Sequence, residues 1–324
     1  MKITAVFTAE TEAYFRKKGW LKSNEEVLSF AKAGEGNMNF VARVSTNQGS
    51  FIVKQSRAYV EKYQQVPAPI ERIEVENAFY ELVSESETLK GFSPEIIAFD
   101  KANHTLVMGD LGQASDYTGL YSGSVLIGKE EIQNLMSYLT TLHALLPKTF
   151  LDNSQMKELN HEHIFNYPFL EENGFDLDTV QEGLQKLAMV YKTNDLLKRQ
   201  ATLLGERYLS NGTILLHGDY YPGSWLKTEG GLKVIDPEFG FMGDAEFDLG
   251  VMLAHFKMAG VEEALISFTL EEYQASLGLN TDLLNQYIGI EVLRRLIGLA
   301  QLPLNLSLER KKILLDEAVA LVIN

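Results

Sequence analysis

The chain has 324 residues, 45% hydrophobic and 23% charged, with a net charge of −15. That composition supports a well-packed core in one large two-lobed domain or two ordinary ones. The acidity argues against wrapping nucleic acid or coating an anionic membrane, which call for clustered lysine and arginine, and the absence of cysteine excludes disulfides, iron–sulfur clusters and cysteine-based zinc sites.

The amino-terminal MKITAVFTAETEAYF carries acids early and no sustained apolar run, so it reads as something other than a signal peptide. No apolar stretch approaches the roughly 20 residues that span a bilayer, and a cytoplasmic location is the expectation. TAETEAYFRKKGWL predicts a short helix with Thr8 as its N-cap. Alternating residues 40–44 and 51–54 predict two strands joined by a hairpin at Thr46-Asn47-Gln48-Gly49. Ile70, Ile73, Phe79, Leu82 and Val83 then fall at helical spacing, and residues 95–99 and 104–108 read as two more strands. After Leu111 the pattern becomes mostly helical, with Ile132, Leu135, Met136, Leu139 and Leu142 on one face of an amphipathic helix. Thr213 to Phe241 is the exception and reads strand, loop, strand, loop. A small β-rich lobe over residues 1–109 and a larger, mostly helical lobe over 110–324 is the organisation this order predicts.

Asp219 and Asp236 each lie just past an apolar strand, in LLHGDYYPGSWL and LKVIDPEFGF. A carboxylate there is costly unless paired, ligated or catalytic. Glu238 follows Asp236 by two residues, with Pro237 stiffening the link. Hard oxygens converging from one short segment suit Mg²⁺, and a separate carboxylate suits general-base work on a hydroxyl. Either aspartate alone reads more readily as a turn or helix cap; the grouping with His217, Gly218 and Glu238 is what favours chemistry. Gly34-Glu35-Gly36-Asn37-Met38-Asn39 places glycines where backbone N–H groups can approach phosphates. Lys54 stands in the next strand, and the following helix offers Glu76 as its partner, with Glu71, Glu74 and Glu81 as rivals.

HGDYYPGSW, VIDPEFGF and EFDLG together resemble the aminoglycoside phosphotransferase and choline kinase-like group. GEGNMNFVARV, DPEF and LRRLIGLA are similar to the phosphate loop, metal segment and twin-arginine helix of its methylthioribose kinase branch. The resemblance runs from about residue 10 to about residue 300 and implies an α+β, protein-kinase-like two-lobed fold. It implies an ATP- and Mg²⁺-dependent small-molecule kinase acting on a sugar-like hydroxyl, with a homodimer as the expected assembly. Carried over by residue, it makes Asp219 the catalytic base and Asp236 the main Mg²⁺ ligand, with Glu238 as a second. Lys54, held by Glu76, meets the α- and β-phosphates; Gly34, Gly36, Asn37 and Asn39 cover the phosphates; Met108, Asp110 and Leu111 line the adenine pocket; His217 and Asp248 brace the catalytic loop. Ser224 stands where the wider group has a metal-binding Asn and is carried over as a further, weaker metal ligand; Tyr220-Tyr221 replaces the group's usual Leu-His beside the base, as shapers of the acceptor pocket. No HRD, DFG or APE sequence is present.

Arg294 and Arg295 lie on a segment that is apolar nearly all round, so both guanidiniums need oxygen partners. The partner is either Glu291, within the protein, or a bound substrate. A pocket for polycationic aminoglycosides or an amino alcohol would instead call for clustered acids. A nucleotide-binding regulatory module without turnover is the remaining alternative. His161 and His163, in NHEH, diverge on a helix and read as a solvated loop rather than a metal site.

Overall fold

The computed structural model describes residues 1–34 and 38–324; the expectations at Gly36 and Asn37 lie outside the described residues. In chain order the elements are α1 (Ala9–Lys17), β1 (Val27–Lys32), β2 (Phe40–Thr46), β3 (Gly49–Gln55), β4 (Tyr59–Val60), β5 (Tyr63–Pro67), α2 (Arg72–Val83), α3 (Glu87–Phe92), β6 (Ile96–Asp100), β7 (Thr105–Gly109), β8 (Ala114–Asp116), α4 (Lys129–His143), α5 (Ser154–His161), α6 (Leu184–Lys192), α7 (Asp195–Leu209), β9 (Ile214–Leu216), β10 (Trp225–Thr228), β11 (Gly231–Val234), β12 (Phe241–Gly243), α8 (Ala245–Ala259), α9 (Glu263–Gln274), α10 (Thr281–Ile297) and α11 (Leu308–Ile323). They divide into two units. The first holds Met1–Ala114 and Thr228–Glu238, the second Ser115–Lys227 and Phe239–Asn324. The fold is α+β of the protein-kinase-like class.

The first unit is built on an antiparallel sheet ordered β1-β2-β3-β7-β6. Thr46 pairs with Gly49 across the expected hairpin turn. Alternation puts Phe40, Ala42 and Val44 of β2 and Phe51 and Val53 of β3 on one face. These pack with Val107, with Tyr14 and Phe15 of α1, and with Ile3 and Leu21 into a core. Thr8 caps α1 by accepting from the Thr11 amide, as its position predicts. Lys54 and Leu106 are cross-strand partners in β3 and β7, and alternation sends Lys54 to the face opposite Val53. Helix α2 packs on β6 and β7.

The second unit is mainly helical. Its short pair β9–β12 is antiparallel, with Leu216 opposite Phe241. The strand before Asp219 therefore pairs with residues beyond Glu238, where the expectation had only a loop. Helix α8 is buried along Phe247–Phe256 and packs on α10, which in turn packs on α11. The close approach of α8 and α10 depends on Gly250, because a Cβ there would lie 2.8 Å from Tyr287 Cβ. His161 and His163 correct the expectation of a solvated loop: His161 ends α5, His163 follows in a π-helical turn, and the segment is anchored by buried Ile164 and Phe165. Among the described residues no helix is long and apolar enough to cross a membrane.

Filling the contact at Gly250 should destabilise the helical unit. Gly250→Val is expected to cost about 1–3 kcal/mol through overpacking, read as a lower urea midpoint with an unchanged slope.

Candidate active site

In the first unit the chemistry gathers around one buried cation. Lys54 is 2% exposed. Its amine lies 2.7 and 2.8 Å from the two carboxylate oxygens of Glu76 and 2.6 Å from Asp236 Oδ1. Of the rivals for Lys54, Glu74 pairs with Lys101 and Glu81 accepts from Asn77, while Glu71 is exposed. Burial works against the Lys54 charge, but Asp236, Glu76 and Glu238 outweigh it and hold the amine above the ordinary lysine range. Burial pushes Glu76 up to about 8 against the pull of Lys54, with Asp236 and Glu238 adding to the rise.

Asp236 has a left-handed backbone, with φ at 63°. Aspartate tolerates this region better than most residues. Its amide donates to the Tyr80 hydroxyl at 3.2 Å, which ties the segment to α2. Glu238 Oε2 accepts from Asn39 Nδ2 at 2.8 Å and pairs with Arg72 Nε at 3.0 Å. Arg72 is the residue that sequence reasoning missed here. It is fully buried and also donates to the carbonyls of Met38, Arg57 and Pro69. One guanidinium thus ties the end of the glycine-rich segment to the Asp-Pro-Glu segment. A lone arginine opening a helix gives no sequence signal of such a role.

Around Lys54, the acid side chains of Glu76, Asp236 and Glu238 meet the cations of Lys54 and Arg72. Among the described residues no group of three or more His, Asp or Glu side chains has a metal-binding arrangement. Asp236 and Glu238 supply a partial hard-oxygen set of the kind Mg²⁺ completes with water and phosphate oxygens. Of the adenine-pocket expectations, Met108 is buried, and Leu111 is half-buried. Asp110 accepts from Arg43 at 2.9 Å and from the Gly112 amide at 3.0 Å.

The second unit carries the catalytic-loop candidates. Asp248 of α8 is fully buried and accepts from the amides of His217 at 2.6 Å and Gly218 at 2.9 Å. Those two bonds fix the turn that presents Asp219, whose side chain is 25% exposed. Gly218 has φ of 81°, and a Cβ there would meet the Phe239 carbonyl oxygen at 2.2 Å, so only glycine fits. Ser224 Oγ donates to the Asp219 carbonyl at 2.8 Å. Tyr220 corrects an expectation. It is fully buried, stacks on Tyr138 and donates its hydroxyl to the Leu135 carbonyl, so it is a core residue rather than a wall for an acceptor. The two tyrosines follow one another in the loop after β9, where no periodic pattern says which of them turns inward. Tyr221 does border the site: the Arg295 guanidinium lies over its ring, 5.3 Å from the centroid.

The twin arginines pair internally. Glu291, Arg294 and Arg295 stand at i, i+3 and i+4 on α10, which brings one carboxylate to both guanidiniums. Arg294 meets Glu291 Oε2 at 3.0 Å and Arg295 Nε meets Oε1 at 2.6 Å. Arg295 also reaches within 3.8 Å of Asp219 Oδ1. Burial would raise Glu291, but the two guanidiniums hold it well below the usual carboxylate range. Arg295 is pulled down by burial and lifted further by Glu291 and Asp219, so it stays charged.

Removing the brace should show first in stability. Asp248→Ala leaves two buried amides without their acceptor, at about 1–3 kcal/mol each, and calorimetric melting should register the loss.

Comparison with known proteins places this geometry. The phosphotransferase enzyme family (APH) matches residues 29–275. A methylthioribose kinase of Bacillus velezensis is 26% identical, over 95% of this chain and 90% of that one. That of Cronobacter sakazakii is 28% identical over 77% of this chain, and the match spans 65% of the longer relative. The choline kinase LicA from Streptococcus pneumoniae shares the fold, with a TM-score of 0.54 at 17% identity, covering 97% of this chain and 99% of that one. The chain belongs to the phosphotransferase enzyme family and is one of its small-molecule kinases.

Proposed function

We propose that the protein transfers the γ-phosphate of ATP, with Mg²⁺, to a hydroxyl of a neutral, sugar-like acceptor of the methylthioribose type. The observation that carries this reading is the buried Lys54 amine held between Glu76 and Asp236. A lysine so restrained is a fixed positive charge for phosphate oxygens, and phosphoryl transfer is catalysed mainly by positioning and charge stabilisation. In this reading residues 1–109 form the nucleotide-binding lobe and residues 110–324 the catalytic lobe.

Lys54 neutralises the α- and β-phosphates, with Gly34 and Asn39 at the covering segment and Met108 to Leu111 against the adenine. Asp236 and Glu238 would hold Mg²⁺, which when bound supplies charge neutralisation on the phosphate oxygens. Arg72 keeps Glu238 in place through its ion pair. Asp219 orients the acceptor hydroxyl and takes its proton late, as the oxygen–phosphorus bond forms. Ser224 acts on this loop through the Asp219 carbonyl.

Two guanidiniums share one buried acid beside Asp219. That supports an acceptor rich in hydroxyl oxygens, which guanidinium N–H groups can meet, over a cationic amino alcohol or aminoglycoside. The methylthioribose kinases among the relatives support the same choice.

ADP release with Mg-ATP should depend on methylthioribose, and exceed that with choline, homoserine or an aminoglycoside. Turnover with a cationic acceptor alone would overturn the acceptor assignment. ATP binding without acceptor-dependent ADP would favour a regulatory module. Asp219→Asn should lower kcat about 10²–10⁴-fold with the ATP dissociation constant nearly unchanged; full activity in that variant would contradict its role as base.

A further inference from the structure

Helix α8 carries two fully buried polar side chains two turns apart, Asp248 and His255. Asp248 braces the catalytic loop, whereas nothing in the proposed mechanism uses His255. Its surroundings are specific. Nδ1 lies 2.5 Å from the Tyr121 hydroxyl, and Nε2 lies 3.1 Å from Glu291 Oε1. That same oxygen accepts from Arg295 Nε, and Arg295 reaches toward Asp219. The His255 and Tyr221 rings lie 5.3 Å apart.

The protons in this chain can be assigned. Burial pushes the imidazole down to about 4, so it is neutral near pH 7 and carries one N–H. Glu291 is ionised and can only accept. The hydrogen therefore sits on Nε2 and is donated to Glu291, and Nδ1 accepts from the Tyr121 hydroxyl. Tyr121 keeps its proton, since burial raises it well above the ordinary phenol range. Donation runs from Tyr121 to His255 to Glu291, with Arg295 donating to the same carboxylate from the other side.

We propose that His255, backed by Tyr121, is a positioning residue for phosphoryl transfer: it fixes the Glu291 carboxylate so that Arg295 is held against Asp219. This rests on Asp219 acting as the base. The device is needed because Glu291 serves two arginines at once. With only those two mobile partners, the carboxylate could rotate between them, and Arg295 would leave Asp219. A rigid imidazole on a neighbouring helix removes that freedom. Arg295 then holds Asp219 in one orientation while the ring of Tyr221 supports the guanidinium face.

The test compares His255→Leu, His255→Gln and Tyr121→Phe by steady-state kinetics with Mg-ATP and methylthioribose, alongside a crystal structure of His255→Leu. The expected result for His255→Leu is a fall in kcat of about ten-fold or more, with the KM for ATP within about two-fold. His255→Gln, whose amide N–H can reach the Nε2 position, should recover most of the loss, and Tyr121→Phe should show a smaller loss of the same kind. In the His255→Leu structure Arg295 should stand beyond ion-pair distance of Asp219, about 4 Å. An unchanged kcat in folded His255→Leu, or Arg295 still paired with Asp219, overturns the proposal. If His255→Leu does not fold, Tyr121→Phe decides by the same kinetics and structure. If the wild-type protein phosphorylates no methylthioribose, the reading of function fails separately, and the position of Arg295 alone decides this inference.

Discussion

A lysine amine held inside the first unit, against two carboxylates, is the constraint on which the rest of that unit depends. Removing an ammonium from water costs several kcal/mol even after relaxation, and only close, well-placed carboxylates offset it. Three elements therefore have to agree. Strand β3 must turn Lys54 away from the apolar face that Val53 occupies. Helix α2 must bring Glu76 to it and Arg72 to Glu238. The Asp236–Glu238 segment must take a left-handed turn at Asp236, with its amide tied to Tyr80. Such a cluster is weak evidence for stability. Its value is a positive charge held in one place, between Glu76 and Asp236.

The second unit solves a different problem with the same means. Its two buried acids, Asp248 and Glu291, lie on packed helices and spend their oxygens on precision rather than chemistry. Asp248 accepts from consecutive amides and so fixes the turn before Asp219. Glu291 gathers Arg294, Arg295 and His255. Both depend on tight helix packing, which Gly250 permits by leaving room for Tyr287. Sites held this way on rigid elements are positioned to fractions of an ångström.

Much of this was legible in the sequence, and for physical reasons. Alternation and turn chemistry predicted β2, β3, β6 and β7 within one or two residues, since one face of each strand meets a core. Lys54 stood out because it interrupts an apolar strand; Glu76 was one of four glutamates near it on the next helix, and it is the one the structure pairs with Lys54. The twin arginines raised a choice between Glu291 and a ligand; Glu291 takes both, and Arg295 has reach to spare for Asp219. What was not legible depends on tertiary neighbours. β1 and the β4–β5 hairpin carry mostly exposed residues and so little periodic signal. Tyr220 and Tyr221 look alike in sequence, yet one is core and the other meets Arg295. Arg72 gave no warning, because its partners come from segments up to 166 positions away. His255 did leave a trace, as a lone imidazole in the apolar run GVMLAHFKM, but its partners Tyr121 and Glu291 are far along the chain.

The measurement that bears most directly on the central claim is the affinity for Mg-ATP, by titration calorimetry, of wild-type protein and Lys54→Met. Methionine keeps the unbranched stem and apolar bulk while removing the charge, so the comparison isolates the amine. The account predicts binding weakened at least about ten-fold, equivalent to about 1.4 kcal/mol or more, in a variant that still melts cooperatively. Equal affinity in the two proteins would contradict it, and would make the Lys54 cluster a structural ion pair with no part in holding phosphate.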